Sequence, residues 1–279
     1  MRTTGIDHIV DAFLASSPHG TRQVVSLGAG SDTRFFRLKQ RRHDLDLVYH
    51  ELDFPANTSA KINQLRNPSF ANRIKQHCDF DVNGPHVQVS SDRSSLSSPS
   101  YYIHAQDLRR LKTSTTILGL DESLPTLLIS ECCLIYLPPD DADAVFDYFS
   151  SRFPATTPLA CVIYEPIRPH DSFGKTMISN LVARGIHLQT LEKYAGLKEQ
   201  EARLRYFGFG KDARDGSVAV DIDFVWRKWI NEKEKQRVEG LEWMDEVEEF
   251  VLLAKHYCIA WGWKGFEDDQ TWRALPAPT

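Results

Sequence analysis

The chain has 279 residues, of which 42% are hydrophobic, 25% charged and 11% aromatic. This length allows a substantial core, and the composition excludes disordered, collagenous and coiled-coil proteins. The formal net charge of −5, from 33 Lys and Arg against 38 Asp and Glu, offers no excess of positive charge to a phosphate backbone. Nucleic acid is therefore not an expected partner.

Neither a membrane-spanning segment nor a secretory signal is evident in the sequence. No apolar run approaches the roughly 18 residues of a membrane span, and no apolar signal core follows Arg2. The five cysteines are an odd number, which favours reduced thiols over a disulfide framework, and no zinc-ligand spacing occurs. We therefore expect a cytoplasmic protein with no membrane segment and no metal site.

The first predicted elements are a helix, a strand, a glycine turn and a second helix. Apolar residues at helical spacing predict a helix over residues 2–14. The apolar run 23–27 predicts a strand that ends in Gly28-Ala29-Gly30, and Asp32 is placed to cap the following helix. The order strand, glycine turn, helix is typical of a nucleotide-binding half.

The next segment completes a β-α-β unit. Residues 45–49 predict a strand that ends in Glu51-Leu52-Asp53, and Pro55 begins a helix. Residues 90–100 are rich in Ser, Asp and Pro, which predicts an exposed loop. Further strands are predicted at 101–104, 125–130, 160–164 and 257–261. Further helices are predicted to start at Arg109 and Pro138 and to occupy 172–184, 191–206 and 244–255, with 218–229 as an additional element.

This alternation of strands and helices predicts an α/β protein with a mostly parallel sheet and helices on both faces. One domain over residues 1–279 is expected, with a ligand-binding half at about 1–165 and substrate-side additions at about 166–279. In such sheets the ligand lies at the carboxyl ends of the strands. The residues at those ends are therefore the candidates for function.

The glycine turn favours a nucleoside over a dinucleotide. Gly28 and Gly30 allow close approach of a ligand to the backbone at a helix N-terminus. Thr33 stands where the third glycine of the dinucleotide fingerprint would fall, which counts against a dehydrogenase.

Acidic residues follow three more strands. Asp53 is placed to accept hydrogen bonds from a ribose diol, with Glu51 as its local competitor. Asp107 and Leu108 are suited to the amino group and the ring of adenine, and Glu131 to the amino-acid end of a cofactor such as S-adenosylmethionine. The alternative is that these are only turn and cap residues, which strand ends favour anyway.

At these residues the chain resembles the leucine carboxyl methyltransferases, which methylate the C-terminal leucine carboxylate of the protein phosphatase 2A catalytic subunit. The resemblance covers nearly the whole chain. It is carried by residues 27–33, 51–55, 107–109, 129–132, 134–136, 173–174, 177–178, 241–246 and 256–261.

The resemblance implies a class I S-adenosylmethionine-dependent methyltransferase fold and a site. By position, Gly28, Asp53, Asp107, Leu108 and Glu131 would bind S-adenosylmethionine. Arg2 would meet the carboxylate of the cofactor, and Tyr136 would lie near the acceptor, which makes these two the candidate catalytic residues. The implied partner is the phosphatase catalytic subunit, through its C-terminal tail and active-site face, with the enzyme as a monomer.

A free C-terminal carboxylate has a pKa of about 3.5, so it is already ionised at pH 7 and needs no general base. Positioning is then the main catalytic task. A thiol nucleophile at Cys132 or Cys133 is the less favoured alternative, because neither has a His or Asp partner visible in the sequence.

Family members carry a further N-terminal segment ahead of the residue that matches Arg2, whereas this sequence starts at Met1. Either the start is a truncated gene model or the site lacks its lid. The second hypothesis is therefore a catalytically impaired homologue that binds the cofactor or the phosphatase. A third is methylation of a modified tRNA base, as in a relative with an appended β-propeller, although no propeller repeats follow here.

Overall fold

The computed structural model describes residues 1–16, 20–240 and 247–278. Within these ranges the strands are β1 (Arg22–Leu27), β2 (Leu47–Asp53), β3 (Gln88–Val89), β4 (Leu96–Ser97), β5 (Tyr101–Ala105), β6 (Thr126–Glu131), β7 (Leu159–Pro166), β8 (Gly216–Asp221) and β9 (Tyr257–Lys264). They form a single sheet in the order β3-β4-β5-β2-β1-β6-β7-β9-β8.

Helices cover the sheet. They are α1 (Arg2–Ser16), α2 (Arg34–Arg41), α3 (Pro55–Leu65), α4 (Pro68–Cys78), α5 (Pro139–Arg152), α6 (Ser172–Val182), α7 (Leu197–Tyr206), α8 (Ile222–Lys228), α9 (Glu232–Glu239), α10 (Val247–Lys255) and α11 (Gln270–Arg273). Single 3₁₀ turns occur at Leu108–Arg110 and Leu134–Tyr136.

Strands β5, β2, β1, β6 and β7 are parallel neighbours, so their carboxyl ends meet at one edge of the sheet. Strand β9 runs antiparallel to β7 and to β8. The predicted mostly parallel sheet is confirmed, and so is the closing strand near the C-terminus.

Both faces of the sheet are buried. Because alternate residues of a strand point to opposite sides, neighbouring residues belong to different cores. Val24 belongs to a core with α1 and α2, where the Phe35 ring stacks on Tyr101 at a centroid distance of 4.5 Å. Val25 belongs to the opposite core, which includes Phe146 and Phe149 of α5. Burial on both faces explains the near-continuous apolar runs of β6 and β7.

The prediction of an exposed loop over residues 90–100 is wrong in part. Strands β3 and β4 form a short antiparallel hairpin that extends the sheet beyond β5, and Leu96 is buried within it. Two-residue strands are too short for an alternating pattern to show in the sequence.

Other element predictions need correction. The segment at Arg109 is one 3₁₀ turn instead of a helix, and the helix predicted from 191 begins at Leu197. Helix α4 was not predicted, because its sequence is largely polar and buries only Ala71, Ile74 and Cys78. The segment 218–229 divides into the end of β8 and helix α8. The motif at 241–246 and the predicted helix start at 244 lie outside the described residues.

Candidate functional site

Three clefts adjoin at the carboxyl ends of the parallel strands, and Cys132 lines all of them. The polar cleft, of about 400 Å³, is lined by Arg2, Gly28, Asp32, Arg34, Glu131 and neighbours. The glycine-loop cleft, of about 260 Å³, is lined by Gly28, Gly30, Asp53, Asn57, Asp107, Leu108, Tyr136 and neighbours. The aromatic cleft, of about 400 Å³, is lined by Arg2, Tyr136, Tyr164, Ile222, Phe250, Leu253, Tyr257 and neighbours.

The glycine loop after β1 requires glycine at two positions. Gly28 and Gly30 have φ values of +61° and +51°, in the left-handed region that side chains disfavour. A Cβ atom at Gly28 would also lie 2.5 Å from the sulfur of Cys133. The loop therefore keeps its backbone exposed toward the glycine-loop cleft.

Asp53 is fixed at the end of β2 by three hydrogen bonds. Its Oδ2 accepts from the backbone N–H of Gly30 at 2.7 Å, and its Oδ1 accepts from the backbone of Phe54 at 2.7 Å and from Asn57 Nδ2 at 2.8 Å. The side chain is buried but lines the glycine-loop cleft. Its oxygens are thus held in one orientation, as a ribose diol would require.

Glu51, the competitor of Asp53, does not line these clefts. It is buried and forms an ion pair with Lys61, whose Nζ also donates to the carbonyl oxygen of Asp32 at 2.7 Å. Burial raises the pKa of Glu51 to about 7, against the opposing effect of the Lys61 charge. Lys61 thus connects Glu51 to the backbone of Asp32 after the glycine turn.

Asp107 has a second role as a cap. Its Oδ1 accepts from the backbone N–H of Arg109 at 3.0 Å and its Oδ2 from Arg109 Nη2 at 2.7 Å. The hydrogen bond from the Arg109 side chain lowers the pKa of Asp107. An adenine amino group would therefore share this carboxylate with Arg109. Leu108, beside it, is buried at the wall of the glycine-loop cleft.

Glu131, at the end of β6, lies between two arginines in the polar cleft. Its Oε1 is 2.7 Å from Arg2 Nε, and its Oε2 is 3.0 Å from Arg34 Nη1. Arg34 also contacts Asp7 and Asp32, and although burial opposes its charge, these carboxylates raise the pKa of Arg34 above its usual value. The cleft thus offers both signs of charge, which suits a zwitterionic amino-acid group.

Tyr136 forms the wall between the glycine-loop cleft and the aromatic cleft, with 43% of its surface exposed. Burial of part of the ring raises the pKa of its hydroxyl, so the hydroxyl is protonated at neutral pH. Beyond it, the rings of Tyr164 and Tyr257 stack at 5.4 Å, and the Arg2 guanidinium lies 5.7 Å from the centre of the Tyr164 ring.

The two adjacent cysteines carry no sign of nucleophilic activation. Cys132 has a φ of +49°, which turns the chain sharply after β6. Burial raises the pKa of Cys132 to about 11 and that of Cys133 further still. At neutral pH both are thiols, so the geometry gives no support to the thiol alternative.

The structure brings the sequence-predicted residues together. Four of them share the glycine-loop cleft, Arg2 and Glu131 form an ion pair in the polar cleft, and Tyr136 lies between the clefts. Their roles in binding or catalysis remain predictions. Arg34 and Asn57 line the clefts but were not predicted from the sequence. The one sequence signal for Asn57 is its spacing, four residues after Asp53 at the start of α3.

Two findings concern metals and membranes in the described part of the chain. No group of three or more His, Cys, Asp and Glu side chains there is arranged to hold a metal ion. No helix in the same ranges has the length and apolar character needed to cross a bilayer.

Comparison with solved structures supports the fold. A candidate methyltransferase from Thermobifida fusca YX superposes with a TM-score of 0.51 at 13% identity, over 92% of this chain and 78% of that one. The predicted class I methyltransferase fold is confirmed.

Comparison with protein families gives a narrower result. The family described as leucine carboxyl methyltransferase matches residues 1–150. The leucine carboxyl methyltransferase 1 of Aspergillus fumigatus is 46% identical over 309 aligned residues, which include 100% of this chain and 76% of the relative. The chain therefore belongs to the leucine carboxyl methyltransferase family.

Proposed function

We propose that this protein transfers a methyl group from S-adenosylmethionine to the α-carboxylate of a C-terminal leucine, in the catalytic subunit of protein phosphatase 2A. The observation that carries the proposal is the meeting of the three clefts at Cys132. The glycine-loop cleft suits an adenosine, the polar cleft suits an amino-acid group and the aromatic cleft suits an apolar side chain, as this reaction requires.

The donor and acceptor set supports S-adenosylmethionine as the cofactor. The fixed oxygens of Asp53 and the carboxylate of Asp107 accept hydrogen bonds, as a ribose diol and an adenine amino group need. Glu131 suits an ammonium group, and Arg2, which is 53% exposed, suits a carboxylate. When bound, the cofactor supplies an electrophilic methyl group on a sulfonium.

The residues of the chain then have a positioning task. The acceptor carboxylate is ionised at pH 7, since its pKa is about 3.5. Arg2 and Tyr136 both border the aromatic cleft. The protonated hydroxyl of Tyr136, and an N–H of Arg2 that the cofactor's carboxylate does not use, can hold the acceptor carboxylate at the boundary with the glycine-loop cleft. Two well-placed donors fix the oxygen while leaving it nucleophilic.

The aromatic cleft supports an apolar acceptor residue. Its lining includes the Tyr164–Tyr257 stack and the side chains of Ile222, Phe250, Leu253 and Ala254. A leucine side chain that binds there would remove its apolar surface from water, which is favourable. A charged side chain would lose its hydration, which is unfavourable.

We propose the cytoplasm as the site of the reaction and a monomer as the active form. The support is that the cysteines Cys78, Cys132, Cys133, Cys161 and Cys258 are all free thiols. Free thiols are typical of a reducing compartment.

A methylation assay tests the proposal. The protein is incubated with tritiated S-adenosylmethionine and a peptide that ends in a free leucine carboxylate, and base-labile label in the peptide is counted. Matched control peptides end in leucine amide or in lysine. We expect label only in the leucine carboxylate peptide. Cofactor binding by calorimetry without any transfer would instead favour a binding protein without turnover.

A further inference from the structure

Arg34, the first residue of α2, lies in the wall of the polar cleft with only 3% of its side chain exposed. Its guanidinium contacts carboxylates from three different parts of the chain. Nε lies 2.9 Å from Asp7 Oδ1 on α1, and Nη1 lies 2.8 Å from Asp32 Oδ2 in the glycine loop and 3.0 Å from Glu131 Oε2 on β6. A planar guanidinium held on several sides has little freedom to move.

Arg2 holds the other oxygen of Glu131 but in a different environment. Its side chain is 53% exposed, and exposed ion pairs are weak and exchange readily with solvent. Glu131 is therefore held firmly from the buried side by Arg34 and loosely from the open side by Arg2. A ligand carboxylate can take Arg2 without releasing Glu131 from Arg34.

Asp7 extends this arrangement to the helix that carries Arg2. Its carboxylate contacts Arg34 and also Arg37, at 2.5 Å from Nη1, and it lies five residues after Arg2 on α1. Through its ion pairs, Arg34 thus connects α1 to the glycine loop and to the end of β6.

We propose that Arg34 is a positioning residue that fixes the Glu131 carboxylate for the ammonium group of the cofactor's amino-acid end and so leaves Arg2 available for its carboxylate. The inference rests on the proposed function. Without Arg34, Glu131 would have only Arg2 as a cationic partner among its observed contacts in the described residues. Glu131 would then compete with the ligand for Arg2. The ligand would lose affinity through its amino-acid end and keep the contacts of its adenosine.

The variant Arg34→Lys separates charge from geometry, because one ammonium group cannot replace a planar fork that reaches three carboxylates. Arg41→Lys is the matched control: Arg41 lies on the same helix and contacts Asp11 of α1 at 3.7 Å on the surface, outside the clefts. Binding is measured by calorimetry with two probes. S-adenosylhomocysteine carries the amino-acid end, and 5′-methylthioadenosine has the same adenosine and thioether without it.

We expect Arg34→Lys to weaken S-adenosylhomocysteine binding about ten-fold, as loss of a charge-assisted contact does, and to change 5′-methylthioadenosine binding less than about two-fold. In a Glu131→Gln background, the effect of Arg34→Lys on S-adenosylhomocysteine should largely disappear. The control Arg41→Lys should match the unaltered protein with both probes.

Three outcomes would overturn the inference. Unchanged S-adenosylhomocysteine binding, or equal losses for both probes, would reduce Arg34 to a structural support of the loop. If the effects of Arg34→Lys and Glu131→Gln on affinity were additive, Arg34 would not act through Glu131. If Arg34→Lys does not fold, Asp7→Asn removes one of the carboxylates that hold Arg34, from outside the cleft, and should give a smaller loss of affinity with the same selectivity for S-adenosylhomocysteine. If the unaltered protein binds neither probe, the proposed function itself fails.

Discussion

The backbone N–H of Gly30 donates a 2.7 Å hydrogen bond to Oδ2 of Asp53, so one carboxylate both orders the glycine loop and faces the cleft beside it. Gly30 has a φ of +51°, in the left-handed region that favours glycine. A change at Asp53 should therefore affect loop order and ligand affinity together.

We expect Asp53→Ala to reduce affinity for S-adenosylhomocysteine by about ten-fold or more and to lower the free energy of unfolding by about 1–3 kcal/mol, because buried donors lose their acceptor. Calorimetry and urea unfolding measure the two effects. Asp81→Ala, which removes an exposed carboxylate paired with Lys75, is the control and should leave affinity unchanged. Normal affinity in Asp53→Ala would remove Asp53 from the site.

Tyr136→Phe tests the hydroxyl at the boundary of two clefts. The ring remains to line both, so affinity for S-adenosylhomocysteine should stay within about two-fold while kcat for the leucine peptide falls about ten-fold or more, as when one aligned donor is lost. Tyr206→Phe, at a tyrosine that is 74% exposed, is the control. An unchanged kcat in Tyr136→Phe would exclude the hydroxyl from catalysis.

Gly174 lets α6 approach the preceding loop. A Cβ atom there would lie 2.0 Å from the carbonyl oxygen of Arg168, and the N–H of Gly174 is bound by the cap residue Asp171 at 2.8 Å. We expect Gly174→Ala to lower the free energy of unfolding by about 1–3 kcal/mol through this overlap. Gly240→Ala, where the added atom would have ordinary contacts of 3.5 Å or more, should have little effect. Equal unfolding curves for the two variants would contradict the expected overlap.

The stacked pair His50 and His104 should make stability depend on pH. Their ring nitrogens lie 3.0 Å apart, and burial lowers the pKa of His50 to about 3 and that of His104 to about 4. Between about pH 6.5 and pH 4 the unfolded chain binds protons that the folded chain does not. Stability should therefore fall as pH falls through this range, by up to about 1.4 kcal/mol per pH unit for each histidine.

Glu51 opposes this trend. Burial raises its pKa to about 7, so its contribution is present at low pH and is lost as pH rises through about 7. The test therefore compares two proteins, so that the Glu51 contribution cancels. The free energy of unfolding in urea is measured at pH 7.5, 6.5 and 5.5 for the unaltered protein and for a variant with both His50→Gln and His104→Gln. We expect a less positive slope of stability against pH in the variant. Equal slopes would show that the pair is not held neutral.

The sequence predicts the central elements well, because their signals are local. The apolar runs of β6 and β7 are long enough to identify, and the predicted ends of β2 and β6 place Asp53 and Glu131 at one edge of the sheet. Strands β3 and β4, with two residues each, carry no such signal.

The remainder of the candidate site depends on tertiary contacts. Arg34 and Asp7 are separated by 27 residues and meet only when α1 packs beside α2. Arg34 looks like an ordinary surface arginine in the sequence, whereas its side chain is almost completely buried. The dual role of Asp107, as a cap for Arg109 and a candidate ligand group, also emerges only from the hydrogen bonds.

The most direct measurement is methyl ester formation on the intact phosphatase 2A catalytic subunit, followed by mass spectrometry of its C-terminal peptide. With S-adenosylmethionine present, we expect one added methyl group on the leucine carboxylate and none on a subunit that lacks this leucine. The Asp53→Ala variant should give much less product. An unmodified C-terminus after incubation with a protein that binds S-adenosylhomocysteine normally would contradict the proposed function.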